Sequence, residues 1–479
     1  MKGDFTRDTF SPLQRFTRVL MQQGRVQLDA DWNEQTAILL HYLRSLAADL
    51  IGPYGGPAHN LAYQITPQAR GDFSLSPGHY YVDGCLCENS SSRFSGEDML
   101  FTQQKDLPGL DPLKFPSGGQ TNYLVFLDVW ERHITHLQEE SIREVALGGA
   151  DTATRASLMT QVKAVASIPR PDDPPDEELP TALPAVNPTW EDWLMNPATN
   201  RWGRLVESLQ PANRGKLKAR GRNDPRNDEV CLASPEARYR GPENQLYRVE
   251  VHRPGNALAD DSADPSAVAT FKWSRENGSV VFRIYQLEGN TAIIEKPRDD
   301  RLGIQIGDWV EALDDRIELH GQTGILAEVK EIHPTNDPTQ IEVLLMPADA
   351  AVDLPQVGED DQPYNPILRR WDHRPVEDTA KDSAGAVFIR EGEWLSLERG
   401  VQVWFDPAAQ TEKPHSYRTG DYWLIPARTE IEDVLWPGEP GDPQPLPPHG
   451  VDHYYAPVAI YPAKDGVTQA DIVSLLKTF

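Results

Sequence analysis

The sequence is poor in cysteine, in positive charge and in long apolar runs, and each shortage excludes a class of protein. Three cysteines in 479 residues, Cys85, Cys87 and Cys231, do not make a disulfide framework. Lys and Arg number 46 against 73 Asp and Glu, a formal net charge of −27. So negative a chain repels phosphate backbones and anionic lipid surfaces, which argues against nucleic-acid binding and membrane insertion. No apolar stretch approaches the roughly 18–20 residues that cross a bilayer as a helix. The opening MKGDFTRDTF lacks the apolar core of a secretory signal, so synthesis in the reducing cytoplasm is expected. GxxxxGK[ST], HExxH, GxSxG and DxDxDG motifs are all missing. The reading therefore names no catalytic residue, no metal site and no cofactor, and expects no enzyme.

What the chain does have is turn formers and large aromatics: 41 Pro, 34 Gly, 12 Trp and 15 Tyr. These imply short strands, many turns and a mainly β, multidomain (α+β) fold. One long helix stands out. Leu28, Trp32, Leu39, Leu43, Leu46 and Leu50 recur at helical spacing, and Gly52-Pro53 stops the run. A flexible arm, Met1–Ser11, precedes it, with a second short helix expected over Phe16–Gln22. His79–Val82 and Cys85–Cys87 around Asp83-Gly84 read as a hairpin, because Asp-Gly suits a type I′ turn. NYLVFLDVWE, residues 122–131, reads as a central strand. Asp151–Met159 reads as a short helix and Gln161–Ile168 as a strand. Trp190–Leu209 holds amphipathic helices, and Thr468–Phe479 reads as a capped terminal helix.

Composition suggests five units: 1–60, an arm and helix; 61–168, a β domain; 169–230, an acidic Pro-rich linker with a helical insertion; 231–350, a small barrel or sandwich; and 351–479, a C-terminal β domain. The barrel is expected from six strands, YRVEVHR, ATFKWS, SVVFRIYQL, NTAIIEK, DWVEALDD and QIEVLLM. Ala348–Pro375 reads as a connector. The basic patch Lys216–Arg226 reads as a loop or a contact between subunits. Gly307-Asp308 and Gly420-Asp421, each entering an aromatic strand, read as shared turn chemistry.

Candidate chemistry is sparse. Cys85 and Cys87 share a strand face and, with His79 or Cys231, are conceivable metal ligands. Buried small hydrophobes are the plainer reading. His449 and His453 stand four apart, but Pro447, Pro448 and Gly450 oppose a helix there, so a loop leading into a strand at Tyr454–Tyr461 is expected. The acid clusters Asp172/Asp173/Asp176/Glu177/Glu178, Asp260/Asp261, Asp299/Asp300, Asp314/Asp315 and Glu359/Asp360/Asp361 read as solvated turns. Among the tryptophans, strand alternation sends Trp273, Trp309 and Trp404 inward. Trp190, Trp202 and Trp436 are candidates for stacking on sugars.

Two stretches carry a resemblance. One is Gly24, Arg25, Gln27, Asp29, Asp31, Trp32, Asn33, Glu34 and Gln35; the other is Gly78, Tyr80, Val82 and Gly84. Together they resemble the opening of phage tail and fibre proteins, with Gln23 standing where those carry Pro. LDVWERHI, IREVALGGADTATR, RYRGPENQLYRVEVH, FKWSRENGSVV, RTGDYWLIPAR and YYAPVA extend the likeness. Over nearly its whole length the chain resembles an uncharacterised bacterial family encoded with contractile injection systems. The resemblance implies a structural or attachment component of a phage-tail-like particle, at baseplate, fibre or cap. It would be made in the cytoplasm and built into a releasable particle. Its partners would be particle proteins and copies of itself, with contact residues drawn from Gln23–Arg25, Gln27, Asp29 and Asp31–Gln35. The alternative is a carbohydrate-binding module or tail-spike-like glycan hydrolase, partnered by a surface glycan.

Overall fold

The computed structural model describes the chain apart from residues 91–97, 115–121, 171–174, 184–188, 223–237, 259–263, 298–301, 350–351, 359–363, 374–384, 410–412, 440 and 465. Cys231, Asp172, Asp173 and the Asp260, Asp299 and Glu359 clusters lie outside the described residues. The fold is mainly β, with several sheets and a closed barrel. The helices among the described residues are α1 (Asp29–Ile51), α2 (Trp190–Leu194), α3 (Arg201–Leu209) and α4 (Asp315–Leu319). None is long and apolar enough to cross a membrane.

The units are nested in chain order, each inserted into the sequence of the one before it, rather than strung in series. Outermost is a four-stranded antiparallel sheet ordered Val473–Ser474, His453–Pro462, Asn122–Ile134, Arg155–Val165. It pairs the end of the chain with its first third. Both faces are covered, which explains the continuous apolar run at 123–127. Val125, Leu127 and Val129 join a core with Tyr63, Phe73 and Tyr80. Leu124 and Phe126 face Trp193 and Leu194 of α2 and Leu205 of α3. The Asp83-Gly84 hairpin forms as expected, with positive φ at both residues.

Inside this unit sits a sandwich. A five-stranded sheet is built on Gln245–Val251, Thr270–Ser274 and Tyr422–Arg428, and a three-stranded sheet on Lys216–Gly221, Val401–Asp406 and Trp394–Ser396. They share one core that includes Val249, Phe271, Phe405 and Trp423. Inside the sandwich sits the barrel, ordered Val281–Glu288, Thr291–Glu295, Gln340–Pro347, Ile325–Pro334, Trp309–Leu313, Ile367–Trp371 and closed on the first strand.

Several local expectations change. YRVEVHR and ATFKWS belong to the sandwich, not the barrel. Ile325–Pro334 takes one of their places, and Ile367–Trp371, within the expected connector Ala348–Pro375, takes the other. Asp151–Met159 does not form a helix, because Arg155 onward pairs with Ile134 as a strand. Thr468–Phe479 forms only a 3₁₀ turn at Gln469–Asp471. Val473 and Ser474 then pair with Ile460 and Ala459, so a sheet edge overrides the helical pattern. Phe16–Gln22 is extended; the arm's helical turn is Pro12–Gln14. Lys216–Gly221 is a strand rather than a loop, with Lys218 3.0 Å from Asp406. In the acidic linker, Glu177 is held by Arg201 and Arg204 of α3. The sheets join segments that composition places in separate units, since strand pairing is set by three-dimensional partners. Gly307 and Gly420 both take positive φ, as shared turn chemistry requires.

Candidate assembly surface

The arm and α1 form the most unusual surface of the molecule. Of the 23 residues of α1, only Ala30 and Ile38 are buried. Thirteen of the twenty-four exposed large hydrophobics among the described residues lie between Leu13 and Leu50. The periodic apolar stripe points outward: Trp32 is 60%, Leu43 62% and Leu50 78% exposed. A monomeric soluble protein rarely leaves so continuous an apolar face in water.

The helix is nevertheless fixed to the body. Gly84, at the tip of the hairpin, lies under it so closely that a Cβ there would collide with the Arg44 carbonyl. Arg44 donates to Glu131 of the central strand at 2.7 Å. The amide of Asp83 donates to the Pro53 carbonyl at 2.8 Å, locking the exit from α1.

The polar residues of the resembling stretch fasten the arm to the helix. Thr6 donates through its amide and hydroxyl to Asp29, at 2.9 and 2.6 Å. Burial pushes the Asp29 carboxyl up, and these hydrogen bonds more than reverse it, holding the group below its usual range. Thr9 donates to Glu34 at 2.6 Å, the Phe10 ring packs beside His41, and the Val19 amide donates to Gln35 Oε1 at 2.8 Å. The arm therefore runs up the helix and returns. Gln23 and Gly24 make the turn back, with Gly24 at positive φ and the Arg25 amide reaching the Gln22 carbonyl at 3.4 Å. Asp31 caps the helix start through the Leu28 amide. Gln27, Trp32 and Asn33 are exposed. The structure thus gives Asp29, Asp31, Glu34 and Gln35 work within the chain and leaves the apolar residues outside.

At its other end the arm is anchored in a charged interior that sequence reading missed. The Lys2 ammonium lies 3.4 Å from Glu250, and the Asn277 side chain donates to the Gly3 carbonyl at 2.9 Å. Glu250 also accepts from Arg248 at 2.5 Å, and Lys272 stands 3.6 Å from it. Lys272 in turn donates to both oxygens of Glu311, at 2.7 and 2.6 Å, and the Trp371 indole donates to Glu311 at 2.9 Å. Burial would raise the Glu311 carboxyl; the surrounding charges, Lys272 foremost, together outweigh it and bring the group to about 2. Because Lys272 belongs to the sandwich and Glu311 to the barrel, this contact docks one on the other. Arg132 does the same between the outer sheet and α4, donating to Glu318 at 2.8 Å and Asp315 at 2.5 Å. The signal lies in the strand register, which the sequence does not print. Charges of opposite sign face each other across paired strands, Glu250 opposite Lys272 and Glu311 opposite Arg369, inside otherwise apolar segments.

The other candidates resolve as follows. Cys85 and Cys87 are buried and free, and burial pushes both thiols up. His79 pairs with Glu88, on the opposite face of the hairpin from Cys87, so it cannot join them as a ligand. His449 stacks on Tyr422, and His453, opening a strand, meets Asp128 at 2.7 Å. Trp273 is buried as expected, whereas Trp309 and Trp404 are half-buried. Trp190 and Trp202 pack on the core beneath α2 and α3, and Trp436 packs on the sandwich core and donates to the Gln444 carbonyl.

The chain belongs to a family of unknown function, DUF6519, which it matches over residues 1–169 and 205–469. The match takes in the arm, α1 and most of the three nested units. No curated protein and no solved structure matches the chain.

Proposed function

We propose that this family member is a non-catalytic structural component, built into a phage-tail-like contractile injection particle through its arm and α1. The observation that carries the assembly part is the apolar face of α1, exposed yet held rigidly to the body. A face of that kind gains about 25 cal/mol for each Å² it removes from water, and within this chain nothing among the described residues covers it. The particle part rests on the likeness of the first fifty residues to tail and fibre proteins. The surplus of acid suits such a protein, because it opposes non-specific association everywhere except on the uncharged face.

The test is to tag the chain in cells that produce it and sediment high-mass particles. The tagged chain should travel with sheath and tube proteins, and a variant carrying Leu39→Glu and Leu43→Glu should be lost from that fraction. Wild-type protein absent from every particle fraction would refute the reading.

A glycan-binding role draws on one observation. Trp190 lines a cavity of about 260 Å³ with Asn122, Lys464 and Asp471. Asp471 is its one carboxylate among the described residues and is already bound by Lys464 and Thr468. Acid/base cleavage, which needs two carboxylates, therefore has no support there. Quenching of tryptophan fluorescence by oligosaccharides, lost in Trp190→Ala, would favour this role.

A further inference from the structure

We infer that the occupant of the α1 face is the same helix of other copies of this chain, packed as a short coiled coil. The inference rests on the assembly reading above and names its partner. Six of the outward residues fall on a 4-3-4-3-4 spacing: Trp32, Thr36, Leu39, Leu43, Leu46, Leu50. That is the seam of a heptad repeat, with Trp32, Leu39 and Leu46 at d and Thr36, Leu43 and Leu50 at a. All six are exposed. A helix that merely packs on its own domain turns such a stripe inward, whereas here the inward side is Ala30 and Ile38, off the seam.

Charge and area point the same way. No seam position carries a charge, and of the flanking residues Asn33, Gln35, Leu40, Tyr42, Ala47 and Asp49, Asp49 alone does. Two chains of net charge −27 can therefore meet on this face without bringing like charges into register. One side of a helix 23 residues long is about 34 Å by about 10 Å and offers roughly 350 Å². Leu13, Phe16 and Leu20 of the strapped arm, each more than half exposed, bring it toward the roughly 800 Å² per partner of a stable interface. Leu40 and Tyr42 widen the stripe beyond a two-helix seam, which suits a bundle of more than two helices.

Light scattering on the purified full chain at micromolar concentration tests this. The expected mass is two or more whole multiples of 53.6 kDa. Leu43→Glu with Leu46→Glu should return it to a single chain, with an unchanged circular dichroism spectrum. The control is Ile306→Glu, at an exposed apolar residue far from α1 in sequence, which should leave the mass unaltered. A wild-type protein that is a single chain up to about 100 μM overturns the inference, as does an oligomer that survives the double substitution. Particle sedimentation separates the two readings. A monomer whose incorporation is still abolished by the double substitution refutes self-pairing and keeps the assembly role, with another particle protein as the occupant.

Discussion

The molecule has two regions that reverse the usual arrangement, and they do so in opposite directions. Around Lys272 it puts charge inside; along α1 it leaves leucine outside. The inner region is closed: Lys272, Glu311, Glu250, Arg248 and Trp371 satisfy one another. It lies where sandwich, barrel and arm meet, so its directional contacts fix how nested units dock. Apolar packing alone would tolerate more than one docking angle. The outer region is open: its leucines stay exposed, and nothing among the described residues covers them. Polarity inside this chain thus fixes how its own units dock, and the proposed assembly would draw on the apolarity left outside.

The largest effect should come from breaking the inner region. Lys272→Met leaves Glu311 buried with an unmatched charge, which costs about 3–5 kcal/mol. Urea denaturation should show a loss of that order. Adding Glu311→Leu should restore much of it, since the orphaned charge is then gone. An unaltered midpoint in the single variant would mean that water reaches the pair and that it does not dock the barrel.

Between the two regions lies the contact that holds α1 in place. Gly84→Ala would drive a methyl group against the Arg44 carbonyl and place alanine at a φ of 76°. A loss of about 1–3 kcal/mol is expected. Amide exchange in α1 should quicken, while the barrel's exchange stays as it was.

Acid should act on the inner region through its histidines before it reaches the carboxylates, Asp29 of the arm contact among them. Burial, aided by the Lys272 charge, lowers the His252 imidazole to about 3, and burial lowers His373 to about 4. Both have an ordinary value of 6.5 when unfolded. Between those limits the unfolded chain binds more protons than the folded one, so stability falls as pH falls. Glu311, near 2 in the folded chain against 4.5 unfolded, adds a loss of the same sign below about pH 4.5. Thermal midpoints measured from about pH 7 to pH 4.5 should drop, and His252→Gln should flatten the upper part of that slope. A profile unaffected by His252→Gln would show that this imidazole is not the group being protonated.

How much of this was legible in the sequence divides along the same line. The Asp83-Gly84 hairpin, α1 and the strand at 122–131 follow from local pattern, because each has a turn pair, a helical period or an apolar run long enough to decide it. Thr468–Phe479 and Asp151–Met159 fail for the opposite reason: a distant strand offered their backbones better partners than a helix did. The barrel's last strand, Ile367–Trp371, was hidden between acidic segments. For the candidate surface, spacing placed the apolar stripe of α1 correctly, but spacing cannot say whether a stripe faces core or water. The lysines and glutamates of the interior were hidden because any one of them, alone in a strand, reads as a solvent-facing position; only the pairing of Glu250 with Lys272 shows otherwise.

The smallest expected effect sharpens the comparison most. Leu43→Glu should change the folding free energy by no more than about 0.5 kcal/mol when measured well below the concentration at which copies associate. The side chain is 62% exposed, so replacing it removes little that the folded chain itself holds together. In a core the same substitution would bury a charge and cost several kcal/mol. If dilute Leu43→Glu lost about 2 kcal/mol or more, well beyond the usual surface effect, α1 would be packed against its own chain in solution and its leucines would be core residues after all. If it lost nothing, while at high concentration the wild type alone gained stability, that concentration-dependent gain would be the free energy of association. A leucine that accepts a charge without cost, in the same molecule as a lysine that cannot be removed, would show that α1 is selected for what it meets outside the fold.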